Sequence, residues 1–489
     1  MSRSRPLVLL LVLLAALLPA APASAAPGAP FTNPLKHVKG ADPWIVHHDG
    51  DYHLIATSFT GELQMRRSPT LAGLATAPSV RVWSDATPSR GTNMWAPELH
   101  SFDGRWYLYY SAGAVGEPCC DSQRTHVLES VGSDPMGPYR YKSMLTGREL
   151  GVNGWLIDAS VLRLNGRIYL LGSSFINGGP QSLVIAPMSD PYTVSGPFRL
   201  LSSPTHDWEK QGGVVNEGPE VLQRGGRTFL FYSASACWGP DYKLGRLTYT
   251  GGDPLNASSW RKEPNPVFQR NDAAGVYGPG HNGFFTSPDG TEDWIVYHAN
   301  DAASDGCDNG RTTRAQKVTW RADGTPDLGT PVALGTRLPG PSGETAATPT
   351  AHTLTNRNSG KCLDVVGGTG DGADVVQATC TGAATQRWRF TDLGDDTSRL
   401  TNVGTGRVLD VADCGTADGT NVRQWSWLNN ACQRFRPEVG DQGGWVRLAN
   451  PHSGKVLDVA DCGTADRADV RLWSWLNNPC QQWRPNPVA

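Results

Sequence analysis

The chain has 489 residues, a formal charge of −3 and only 18% charged residues, with 56 Gly, 36 Pro, 17 Trp and 10 Cys. A balance so mild, without a basic block, excludes nucleic acid and anionic membranes as natural partners. Abundant Gly, Pro and Trp suit a turn-rich all-β protein with aromatic sugar-binding platforms, and the length suits two domains.

Residues 1–26 read as a secretory signal. Arg3 and Arg5 form a basic start, Leu7 to Leu18 is an apolar run too short to span a bilayer, and Ala23-Ser24-Ala25 gives small-x-small cleavage. Losing the two arginines takes the formal charge from −3 to −5. No later stretch is apolar enough to span, so the mature protein is expected to be soluble and extracellular; a monomer is also expected.

From residue 31 to 337 one unit recurs five times, roughly 55 to 65 residues apart. Each is a turn dipeptide followed by an aromatic-rich strand: Asp49-Gly50, Asp103-Gly104, Asn165-Gly166, Gly225-Gly226 and Asp289-Gly290. Such pairs supply the positive φ of tight hairpins. With no helical period between them, the repeats predict a five-bladed β-propeller. Seven or eight residues before each turn stand Asp42, Trp95, Asp158, Glu217 and His281. In a propeller these begin the innermost strands and converge at one end of the axis, which predicts an active site there.

Residues 338–351, rich in Pro, Thr, Ala and Gly, read as a linker. From 352 to 487 a second repeat follows, with a period of about 47 residues. Its units open with GKCLDV, GRVLDV and GKVLDV and close with QRW, QRF and QQW. Cys362/Cys380, Cys414/Cys432 and Cys462/Cys480 have one common spacing, which predicts one disulfide per unit. Cys119, Cys120, Cys237 and Cys307 fall in expected loops; their pairing stays open, with zinc as the weaker alternative. The N-x-S at Asn256 is too common to use.

The three C-terminal units resemble the ricin-type β-trefoil, a fold shared with family 13 carbohydrate-binding modules. That resemblance makes Trp388, Phe435 and Trp483 core residues. It places sugar binding at Asp410 with Trp425 and at Asp458 with Trp473, although either Trp could simply be packed. Asp364 is present in the first unit, but Ala378 replaces its aromatic partner, so that lobe is expected to be degenerate.

The strings ADPWIV, MWAPELH, LIDASVL, NEGPEVL and GPGHNGFF, in this order and at blade-sized spacing, resemble glycoside hydrolase family 43. The resemblance implies an inverting enzyme: Asp42 as the general base on water, Glu217 as the general acid, and Asp158 as the carboxylate that orients the acid and raises its pKa. An inverting pair stands roughly 6.5–9.5 Å apart to admit water, and the acid must hold its proton near neutrality. Trp95 is expected to wall the sugar pocket, or else to be a core indole. Arg311 is expected to contact sugar, or else to serve a surface ion pair. His281 is assigned either to a structural Ca2+ at the axis or to the polar core; the chemistry itself needs no cofactor. NEGPEVLQRGGRTFLFYSASA, YGPGHNGFF, RTTRAQKVTWRADGTP and TLAGLATAPSVRVW most resemble exo-acting α-L-arabinofuranosidases. The implied partner is plant cell-wall arabinan or arabinoxylan. β-Xylosidase, endo-arabinanase and galactan-cleaving activities share the same carboxylates, and a non-catalytic exported lectin is the alternative from another class.

Overall fold

The computed structural model describes residues 28–441 and 443–488. The signal reading for residues 1–26 therefore lies outside the described residues. The fold is all-β: its one α-helix among the described residues is the single turn Gly151–Gly154. No helix among those residues is long and apolar enough to cross a membrane.

The N-terminal part is a propeller of antiparallel meanders. Four are separate sheets, whose innermost strands are Thr92–Phe102, Ile157–Leu164, Asn216–Arg224 and Tyr277–Thr286. A further meander, Trp44–His48, Asp51–Ile55, Glu62–Ser68 and Val80–Ser84, continues into the C-terminal sheet. The first four turn dipeptides have positive φ at both central residues, from 49° to 83°, the backbone of a two-residue primed turn. The fifth differs. Only Gly290 is left-handed (φ 71°), and the loop between Thr286 and Asp293 closes through Gly290 N–H to Ser287 O at 2.8 Å.

Apolar side chains fill the space between successive meanders in rotation. Ile55 and Met65 meet Met94 and Leu108; Tyr109 meets Leu156 and Leu170; Leu162 and Leu183 meet Leu230 and Leu247; Phe229 and Phe231 meet Ile295 and Tyr297; Trp294 and Val296 meet Tyr52 and Leu54. The ends are joined where Gly28–Thr32 pairs with Arg337–Gly340 and where Asn33 exchanges two hydrogen bonds with Ala315.

A bulge interrupts the inner strands beside the axis. Register breaks fall at Trp95/Glu98, Ile157/Ser160, Glu217/Glu220 and Gly280/Gly283. Within them Ala96, Asp158, Gly218 and His281 take φ between 40° and 57°, and Asp42 (φ 49°) does the same ahead of Trp44. Bulges re-aim side chains, and non-glycine residues hold such backbone only where the surroundings over-determine it. Polar residues of the second strands, or in Thr57 just beyond one, supply that support, each from the preceding meander. Thr57 Oγ accepts from Ala96 N (2.9 Å), Ser111 Oγ from Asp158 N (3.3 Å) and Ser233 Oγ from His281 N (2.7 Å). Ser173 Oγ donates to Asn216 O (2.8 Å), and His298 Nδ1 stands 3.1 Å from Asp42 N.

The C-terminal unit is a trefoil with hairpins at Cys362–Val365/Val375–Ala378, Val408–Val411/Val422–Trp425 and Lys455–Val459/Val470–Trp473. Trp388, Phe435 and Trp483 are fully buried at its centre. The three equally spaced cysteine pairs are disulfides, and the remaining four form Cys119–Cys120 and Cys237–Cys307. Residues 338–349 lie along the propeller: beyond the strand at Arg337–Gly340, Glu344 accepts from Leu71 N (2.9 Å) and Ala29 N (3.1 Å) and Pro349 O accepts from Thr76 Oγ1 (3.4 Å), whereas Thr350 and Ala351 already pair with Val488 of the trefoil. The two domains also touch directly. Val80–Ser84 pairs in parallel with Arg436–Asp441 through Arg81 and Glu438. Buried Glu438 holds Arg81, Arg436 (2.9 Å) and Arg447 (2.6 Å), while Arg66–Asp392 and Lys39–Asp396 add contacts of 2.8 Å each.

Candidate active site

The bulged residues open into one cavity of about 470 Å³, lined by Asp42, Trp95, Asp158, Glu217, His281 and Arg311 together. All six propeller residues singled out from the sequence thus meet in one place. Four lie at its buried floor: His281 is 8% exposed, Arg311 4%, Asp158 3%, and the Asp42 side chain 10%. Glu217 and Trp95 are half-buried. Arg311 is not a surface ion-pair residue, because its guanidinium faces Asp42 from inside.

Asp42 accepts from Thr57 Oγ1 at 2.5 Å through Oδ2, and its Oδ1 lies 3.3 Å from Arg311, 3.4 Å from His281 Nδ1 and 3.2 Å from His298 Nδ1. Burial works to raise its pKa, but His281, Arg311 and His298 outweigh it and hold the carboxyl well below its ordinary range. Asp42 is therefore an anion across the working range.

Glu217 has the opposite environment. Burial, followed among the raising influences by the charge of Asp42, pushes its pKa up against hydrogen bonds from Tyr242 and Gln181. Tyr242 O–H donates to Oε1 at 2.7 Å and Gln181 Nε2 to Oε2 at 2.8 Å. Asp158 is raised too, by burial first and then by Glu217 and Asp42 against the pull of His281. Its Oδ2 accepts the Gly218 amide at 3.0 Å, so the carboxylate grips the backbone next to Glu217. Two like groups so arranged retain a proton as a pair. The site sets one permanent anion opposite a proton-holding carboxyl, the division of labour that acid–base hydrolysis needs.

His281 meets Asp42 through Nδ1 at 3.4 Å, and that carboxylate is also paired with Arg311; no group of three or more His, Cys, Asp or Glu side chains among the described residues would hold a metal by protein ligands alone, so a hard cation beside His281 would draw most of its oxygens from water.

Sequence reasoning missed Thr57, Gln181, Tyr242 and His298, which act on the two carboxyls, and Phe59, Trp155 and Trp238, which line the cavity. A signal for two of these existed: Thr57 stands seven residues after its turn glycine, as Ser111, Ser173 and Ser233 do, and His298 stands eight after Gly290.

In the trefoil, Asp410 and Asp458 are only 4% and 5% exposed. Asp410 accepts from Arg423 Nε (3.1 Å) and Gln433 Nε2 (3.0 Å), and Arg423 lies over Trp425 at 4.2 Å. Asp458, Arg471 and Trp473 repeat this, with the cation 4.3 Å from the ring centroid. Both Trp side chains are half-buried. The first lobe has neither cation nor indole: Val376 stands opposite Asp364, whose Oδ1 has no partner among the described residues.

The family model "Glycosyl hydrolases family 43" matches residues 31–326, and "Ricin-type beta-trefoil lectin domain-like" matches 342–425 and 431–489. The chain belongs to glycoside hydrolase family 43 and carries a ricin-type trefoil. An extracellular exo-α-(1→5)-L-arabinofuranosidase of Streptomyces avermitilis is 43% identical over 326 residues, 64% of this chain and 66% of the relative. α-L-Arabinofuranosidase 43 of Humicola insolens is 40% identical over 325 residues, again 64% and 66%. The matches thus span just under two thirds of these curated relatives. The crystal structure of an α-L-arabinofuranosidase from Lactobacillus brevis superposes with a TM-score of 0.58 at 34% identity, covering 63% of this chain and 98% of that one. Five disulfides suit an oxidising, exported setting.

Proposed function

We propose that this is a secreted, monomeric, inverting exo-α-L-arabinofuranosidase acting on plant arabinan or arabinoxylan. The observation that carries the reading is the pairing of an anionic Asp42 with a proton-retaining Glu217 in one cavity. Its sugar preference is supported by the relatives named above. The rotating apolar contacts and the bonds ending at His298–Asp42 favour counting the Trp44–Ser84 meander as the first of five blades.

In this reading the terminal arabinofuranose occupies the cavity floor. Asp42 takes a proton from water as that water attacks the anomeric carbon, and Glu217 delivers its proton to the departing glycosidic oxygen. Arg311 and His281 keep Asp42 ionised beforehand, while Asp158 holds the Gly218 amide and with it the direction of Glu217. Trp95 and Phe59 wall the sugar. The trefoil lobes at Asp410/Trp425 and Asp458/Trp473 retain the enzyme on polysaccharide. Sugar release from linear arabinan, aryl arabinofuranoside and aryl xyloside, each with Glu217→Gln as control, tests the proposal. Preferred xyloside turnover would shift the substrate, and no turnover of any substrate would leave a lectin.

A further inference from the structure

The mouth of the cavity carries a feature that the acid–base chemistry does not use. Trp238 is 62% exposed, more than any other large apolar side chain among the described residues, yet it lines the catalytic cavity. Solvating most of an indole is unfavourable unless something covers it. Its loop is also held in place. The neighbouring Cys237 is bonded to Cys307, 70 residues on, which ties this loop to the one after Asp293–Asn300. The indole lies along the Gly212–Gly213 backbone, where a Cβ on Gly213 would sit 3.4 Å from it. Further anchors are Ala236 N to Gln211 O at 3.0 Å and Gly278 N to Pro240 O at 2.9 Å.

Its position relative to the acid decides what it meets. Glu217 pairs with Ser233 in the same sheet, and Trp238 follows five residues later, so platform and proton donor belong to one blade. The acid protonates the departing oxygen, which places the departing sugar on the Glu217 side. The buried carboxylates lie at the floor, so that sugar must extend toward the mouth. Resting on the glycosidase reading above, we infer that Trp238 is the stacking platform for the first sugar of the leaving group, a pyranose or furanose presenting a C–H face. Trp238 is thus a positioning and specificity residue, pre-organised by the Cys237–Cys307 bond so that little ordering is needed on binding.

The test compares full-length wild type, Trp238→Ala and Trp238→Tyr on α-1,5-linked arabinobiose and on α-L-arabinofuranosyl fluoride, whose leaving group has no ring. Covering about 55 Å² of apolar face corresponds to roughly tenfold in affinity. Trp238→Ala should therefore lose about tenfold in kcat/KM on the disaccharide, mostly through KM, and at least fivefold less on the fluoride. Trp238→Tyr should recover most of the loss. Equal losses on both substrates, or none on the disaccharide, overturn the inference while leaving the glycosidase reading intact. A wild type inert on both substrates overturns the two together.

Discussion

Replacing Tyr242 by Phe removes one oxygen and leaves a ring packed where it was, stacked on His298 at 5.6 Å and close against Gly280. The lost contact is the 2.7 Å hydrogen bond to Glu217 Oε1, which favours the ionised carboxylate; the Gln181 bond to Oε2 remains. A hydrogen bond to a charged group contributes about 1.5–3 kcal/mol, and water reaching the half-buried carboxylate recovers part of that. A net change of about 1.4 kcal/mol is about one pKa unit. The sign follows directly. Losing a donor to the anion raises the Glu217 pKa, the proton is kept to higher pH, and general-acid activity persists further into alkali. The alkaline limb of kcat/KM should therefore move up by about one unit, while the acidic limb, governed by Asp42, stays in place. Profiles of wild type and Tyr242→Phe on an unactivated arabinobioside, with thermal melts to confirm folding, measure this. An alkaline limb that stays or falls in a folded variant would refute Glu217 as the acid that Tyr242 restrains.

Water activated by Asp42 attacks from the face opposite the leaving group, so early NMR spectra should show the β-anomer of arabinofuranose as first product, and the α-anomer would mean retention. Glu438→Ala leaves Arg447 without its carboxylate and Arg81 and Arg436 with Glu62 alone, and should cost about 2–4 kcal/mol in denaturant unfolding; an unchanged midpoint would make that cluster ornamental. Asp410→Ala combined with Asp458→Ala frees Arg423 and Arg471 from their ring-covering positions and should weaken retention on insoluble arabinan about tenfold in a depletion assay, whereas Asp364→Ala should add little.

What was legible in the sequence was whatever repeats. Asp42, Trp95, Asp158, Glu217 and His281 could be found by counting back from turn dipeptides, because a blade's turn and its inner strand lie at fixed separation. Equal spacing likewise paired the trefoil cysteines. Contacts made once were hidden. Tyr242 looks like any aromatic beside a strand until the fold packs its ring against Gly280 and sets its hydroxyl on Glu217. Cys237 and Cys307 share no motif across their 70 residues. Arg423 and Arg471 sit where the carboxylate was expected to be open to sugar, since side-chain stacking on Trp425 and Trp473 leaves no periodic trace. The docked path of residues 338–349 was obscured by a composition that flexible and bound segments share.

The chain of bonds that passes from each second strand to the next bulge separates two kinds of residue around the cavity. Asp42, Asp158 and His281 are held at main-chain level by His298, Ser111 and Ser233 beside the propeller axis. The segments bearing Cys119–Cys120 and Trp238 rise from the rim and supply none of those supports. A loop exchanged at the rim leaves the reacting groups where they were, so new substrate preferences are open to such a scaffold through insertion and recombination at its mouth. A change at Ser233 or Thr57, though neither meets the sugar, disturbs the next blade's contribution to catalysis.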